Sequence, residues 1–188
     1  MNLIENKERI FSQVAKAMET VNRRDQVNVI AVTKYVGIDQ AKALVDTGVC
    51  HIGENRVDKF LEKYQALKDE GLTWHLIGSL QRRKVKEVIN FVDYFHALDS
   101  MKLAQEIQKR ASHPIKCFIQ VNISGEESKH GFAPEELDAV LPELEGLDNL
   151  RIVGLMTMAP FEASQDELQA IFAATHQLQK ELQKKQLK

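Results

Sequence analysis

Lys34 closes the run Val-Asn-Val-Ile-Ala-Val-Thr-Lys over residues 27–34, in which both alternating sets of positions are largely apolar. That pattern belongs to a parallel strand covered on both faces, so it predicts a central strand. Alternation puts Lys34 on the face of Ile30 and Val32, at the carboxyl end of the strand, where α/β proteins gather their ligands. Burial beside apolar surface disfavours an ammonium ion, and a neutral amine attacks an aldehyde or ketone to form a Schiff base. A strand-end lysine can also snorkel to water, and position alone leaves both uses open.

His51, His75 and His96 form the other candidate set, because each falls in or near a predicted strand and Glu54 and Asp99 lie close to strand ends. Together they could be ligands at the top of a metal-dependent hydrolase barrel. Counted from their strand ends the histidines do not share one parity, and no H-x-H or H-E-x-x-H spacing occurs, so a metal site is not expected. Arg82, Arg83, Lys84 and Lys86 crowd a predicted helix start, where an anion could bind, but without interleaved aromatics they read as a solvated face. The phosphate-cradling motifs G-x-G-x-x-G and G-x-x-x-x-G-K-[ST] and the nucleophile elbow G-x-S-x-G are missing from the sequence, which leaves lysine chemistry as the main route to a function.

The elements that must position these residues follow from periodicity. Ile10, Phe11, Val14, Met18 and Val21 recur at helical spacing before the first strand. Further strands are expected over residues 49–53, 73–77, 94–98, 115–123 and 151–156, with helices between them. Gly78-Ser79 should start one helix, Pro142 should break another, and Ser164 with Glu167 forms a capping box for a last helix whose inner stripe is Leu168, Ile171, Phe172, Thr175, Leu178 and Leu182. A polar loop over residues 125–131 holds Ser128, Lys129 and His130, and Trp74 reads as core. Strands and helices alternate six times, which means a parallel α/β sheet, either open and doubly wound or curled toward a barrel.

Composition sets the outer limits. The 188 residues suffice for one domain, 44% are hydrophobic, and a formal charge of −2 argues against a dedicated nucleic-acid binder. The charged N-terminus lacks the apolar core of a signal peptide, which points to the cytoplasm. Cys50 and Cys117 have no C-x-x-C spacing and are expected as free, buried thiols.

At this point the sequence resembles a known family. Ala31-Val32-Thr33-Lys34, His51-Ile52-Gly53-Glu54-Asn55, Trp74-His75-Leu76-Ile77-Gly78-Ser79-Leu80-Gln81, His96-Ala97-Leu98-Asp99, the stretch from Gln120 to Gly131, and Gly154-Leu155-Met156 are similar, in order and combination, to the pyridoxal phosphate (PLP) homeostasis proteins. The resemblance implies an α/β fold, a (β/α) TIM barrel of the alanine racemase N-terminal type, here a single domain over residues 1–188 that lacks the last two of eight strands. It implies pyridoxal 5′-phosphate as cofactor, held as a covalent aldimine to Lys34, with Asn55 beside the ring and His75 and Met156 in motifs facing the same mouth. Arg83 stands where the family usually has asparagine, so no role is carried to that loop.

The implied function is storage, carriage or balance of intracellular PLP without catalysis, in a monomer open to edge association, with PLP-dependent apoenzymes as candidate partners and no membrane or nucleic acid. Strands seven and eight, whose loops bind phosphate in such barrels, have no counterpart in these residues. A Schiff-base lyase or aldolase using Lys34 is the alternative, and a metal-dependent hydrolase a more distant one.

Overall fold

In the computed structural model, which describes residues 2–125 and 130–186, six strands alternate with helices. Helix α1 (Leu3–Thr20) precedes β1 (Ala31–Val32), followed by α2 (Ile38–Val45), β2 (His51–Glu54), α3 (Val57–Leu67) and β3 (Thr73–Leu76). The second half runs α4 (Val85–Val88), β4 (Tyr94–Leu98), α5 (Met101–Arg110), β5 (Ile115–Gln120), α6 (Leu137–Glu145), β6 (Leu150–Met156) and α7 (Gln165–Gln186). Every pairing is parallel, and the spatial order is the chain order. A doubly wound sheet reverses its order at a switch point; an order without reversal is the winding of a barrel, with helices on one face and a lumen on the other.

Alternation sorts the strand residues between these two faces. Ile52, Trp74, Leu76, Phe95, Cys117 and Ile119 point outward and are buried with Phe60 of α3, Ile107 of α5 and Leu144 of α6. Burying such side chains stabilises the layer by ~1.5–3 kcal/mol each before chain entropy is counted. Trp74 packs its ring edge-on against Phe60 and Tyr64, with centroids 5.5 and 5.3 Å apart, as a core tryptophan. No helix among the described residues is long and apolar enough to cross a membrane.

Several expectations need correction. The run over residues 27–34 does not form a central strand: only Ala31 and Val32 enter the ladder, β1 is an edge, and Val32 is 49% exposed on the lumen side. Gly78-Ser79 does not cap a helix; Arg82–Lys84 and Ile89–Phe91 form 3₁₀ turns around the single-turn α4. Pro142 lies inside α6 without ending it. The carbonyl it deprives of a bond belongs to Asp138, which is exposed to water, while Leu137, Leu141 and Leu144 keep the helix packed. Phe172 is 54% exposed instead of lying in the inner stripe, and Cys50 is exposed while Cys117 is buried, both as free thiols. Ser128 and Lys129 fall outside the described residues.

Candidate functional site

Lys34 follows β1 by two residues, in the turn that leaves the carboxyl end of the strand. It is the second residue of a turn closed by the Val36 amide, which donates to the Thr33 carbonyl at 3.1 Å. Its Nζ lies 5.0 Å from the ring centroid of Tyr35, whose side chain is largely in solvent. Among the described residues no carboxylate pairs with this amine. Its chemistry is therefore not already committed to a salt bridge.

The outer side of the same strand end is built differently. Thr33, Glu54 and Lys63 are all almost completely buried. Glu54 Oε1 accepts from the Thr33 hydroxyl and from Lys63 Nζ, both at 2.6 Å, and Lys63 Nζ also donates to the Thr33 carbonyl at 2.8 Å. Among the described residues, Glu54 Oε2 has no hydrogen-bonding partner. Glu54 thus faces α3 rather than the lumen, one residue out of phase with His51 and Gly53, and it does not converge with the histidines.

The histidines themselves do converge. Val32, Gly53, His75, Tyr94, Lys116 and Arg151 stand in register across the sheet, with His51 two residues before Gly53 and His96 two after Tyr94. All three histidines therefore share the lumen face, contrary to the parity expected from sequence. His51 Nδ1 lies 3.0 Å from His75 Nε2, and His75 Nδ1 lies 2.9 Å from His96 Nε2. At those separations adjacent rings can share a proton, and a neutral chain of this kind requires His75 to donate from one nitrogen while it accepts at the other.

Burial, aided by the positive charge His96 and His51 would carry, pushes His75 down to about 3, and burial brings His96 to about 4. Tyr94 stacks on His75 at 4.8 Å, and Lys116 Nζ sits 4.6 Å from the Tyr94 centroid. His51, His75, Tyr94 and Lys116, with Ile30, Arg151 and Val153, line a cavity of about 510 Å³ on the lumen side.

Of the residues expected at the site, Lys34, Asn55 and Met156 stand at the carboxyl ends of β1, β2 and β6, on one rim of the sheet. Asn55 is exposed and, with Ser79, Gln81 and Lys84, lines a small cavity of about 150 Å³. Its backbone lies so close to Gly78 that a Cβ there would stand 2.1 Å from the Asn55 oxygen. Met156 pairs in register with Gln120, after a bulge in which Cys117 opposes Ile152 and Phe118 opposes Gly154. The extra residue, Val153, turns Gly154 and Met156 to the lumen side, since Phe118 contacts the His96 ring at 4.7 Å. His75 is set one layer below this rim, inside the histidine chain. Lys34, Asn55 and Met156 thus stand at strand carboxyl ends, on β1, β2 and β6, while His75 lies within the histidine chain.

Thr33 and Lys63 were missed in the sequence, although a signal for Lys63 was present. Phe60, Lys63, Tyr64 and Leu67 fall at i, i+3, i+4 and i+7, so the lysine stands on the apolar stripe of α3.

Residues 6–188 match the family described as alanine racemase, N-terminal domain. A pyridoxal phosphate homeostasis protein of Aquifex aeolicus is 37% identical over 98% of this chain and 82% of its own length. The solved structure of PipY from Synechococcus elongatus PCC7942, with PLP bound, is 32% identical, with a TM-score of 0.78 over 92% of this chain and 82% of that one. Alanine racemase of Clostridium difficile 630 shares the fold at 18% identity and a TM-score of 0.66, over 84% of this chain but 43% of its own.

Proposed function

We propose that this chain, which belongs to the alanine racemase N-terminal domain family and within it to the pyridoxal phosphate homeostasis proteins, binds pyridoxal 5′-phosphate covalently through Lys34 and serves cellular balance of that cofactor. The observation that carries the reading is Lys34 itself: an amine free of any carboxylate among the described residues, at the open carboxyl-end mouth of a barrel-type sheet. The residues present fit the aldehyde end of the group. When bound, PLP supplies an electrophilic aldehyde that an amine can take and release.

The chain's own residues do the rest. The turn at residues 33–36 presents the amine, and the exposed apolar side chains of Val32 and Met158 offer cover for a ring near the rim. Asn55, next along that rim, offers an amide for its polar edge. Beneath, the hydrogen-bonded histidines, with Lys116 and Arg151 in register beside His75, give the mouth a polar floor. His75 acts in this reading from below rather than by lying beside the cofactor. A role in storage or carriage rather than turnover is supported by the names of the relatives. A cytoplasmic location agrees with two unpaired thiols, and apoenzymes that receive the cofactor are the partners this role requires.

Titration with PLP, followed by visible absorbance, tests the reading. The wild-type chain should show a saturable one-to-one spectral change that Lys34→Ala loses. Retention of that change in Lys34→Ala would overturn it.

A further inference from the structure

We infer that the buried Glu54–Lys63 ion pair is a positioning device for the Lys34 amine. The inference rests on Lys34 being the reactive lysine, and concerns residues to which no role has been given.

Lys34 sits on the weakest strand of the sheet. Among the described residues, β1 contributes two residues to the ladder and has a neighbour on one side only. The last ladder bond before the mouth is the Thr33 amide donating to the Gly53 carbonyl at 3.1 Å. Beyond it, the orientation of the peptide joining Thr33 to Lys34 decides where the lysine stem points. The oxygen of that peptide is the Thr33 carbonyl, and it accepts from both the Val36 amide, closing the turn, and from Lys63 Nζ. The Thr33 side chain is held in the same way, its hydroxyl donating to Glu54.

A helix on the outer layer thus reaches through the sheet end and fixes both sides of the residue before Lys34. The geometry is costly to build, because two charges must leave water, and replacing such a pair by apolar groups is often neutral or stabilising. A pair kept only for stability has a cheaper substitute. A pair that must hold one carbonyl in one orientation does not, since leucine and methionine cannot donate to it.

The test compares Lys63→Met/Glu54→Leu, which removes both charges at once, with wild type and with Thr33→Val, which removes only the hydroxyl link. Two readouts are needed: PLP affinity, and trace acylation of the cofactor-free protein, in which modification of Lys34 is measured by peptide mass relative to exposed Lys102. The double variant should melt as a folded protein, bind PLP at least ~10-fold more weakly because the amine is misplaced, and change the Lys34-to-Lys102 labelling ratio severalfold. Thr33→Val should show a smaller change of the same sign. If the double variant fails to fold, Thr33→Val decides alone. Wild-type affinity and a wild-type labelling ratio in a folded variant would overturn the inference and leave the pair structural. If wild type takes no PLP at Lys34, the functional reading fails, and the acylation ratio still decides whether the pair positions this amine.

Discussion

Two lysines reach the same strand end and are treated in opposite ways. Lys63 comes from a helix, is 2% exposed, and spends its donors on Glu54 and the Thr33 carbonyl. Lys34 comes from the turn just after β1, has no carboxylate partner among the described residues, and places its Nζ 5.0 Å from the Tyr35 ring centroid. The difference teaches that the reactive character assigned to a lysine depends less on how deeply it is buried than on whether a carboxylate has claimed it. In this fold the claimed lysine is the buried one, and it holds the backbone from which the unclaimed one projects.

The largest expected effect comes from breaking the buried side. Lys63→Met alone leaves Glu54 charged and unpaired in the core and should cost ~3–5 kcal/mol, whereas Lys34→Met should change stability by no more than about 0.5 kcal/mol. Urea melts of the two variants check this directly. Equal losses would erase the distinction between the lysines.

Acid sharpens the comparison from the lumen side. The unfolded chain protonates its histidines near 6.5, but folded His75 resists until about 3 and His96 until about 4. The unfolded state therefore binds more protons as pH falls below about 6.5, and stability is complete above that value and declines beneath it. By pH 5 the loss from His75 should be on the order of 2 kcal/mol, with a further share from His96. His75→Gln should flatten the dependence in melts between pH 7 and 5, and an unchanged slope would contradict the neutral histidine chain.

A smaller effect is expected at the rim. Gly78→Ala places a methyl against the Asn55 carbonyl, so that the loop after β2 must move. We expect a loss of ~1–3 kcal/mol together with weaker PLP binding, read by melting and titration. A loss of stability with binding intact would remove Asn55 from the site.

Much of this was legible in the residues. The strand and helix alternation gave the parallel α/β sheet, the family resemblance gave its barrel-type winding, and the Ser164–Glu167 capping box formed as written, with the Ser164 amide donating to Glu167 at 2.7 Å. What stayed hidden depended on relations between strands. The histidine chain arises from register, which no single strand encodes: His51 and His75 meet because Gly53 pairs with His75, two positions beyond the level of His51. Met156 reaches the lumen only because Val153 bulges. Lys63 escaped notice because a charge on an apolar stripe reads as an exception until its partner, Glu54 on the preceding strand, is seen to face it.

The central claim, that Lys34 is the lysine that takes the cofactor while Lys63 remains an ion-pair partner, is tested most directly by loading the chain with PLP, reducing with sodium borohydride and mapping the modified peptide by mass. The account predicts one stoichiometric modification, on Lys34, and none on Lys63. Modification on Lys63 or another lysine, or an even scatter over the exposed lysines, would contradict it.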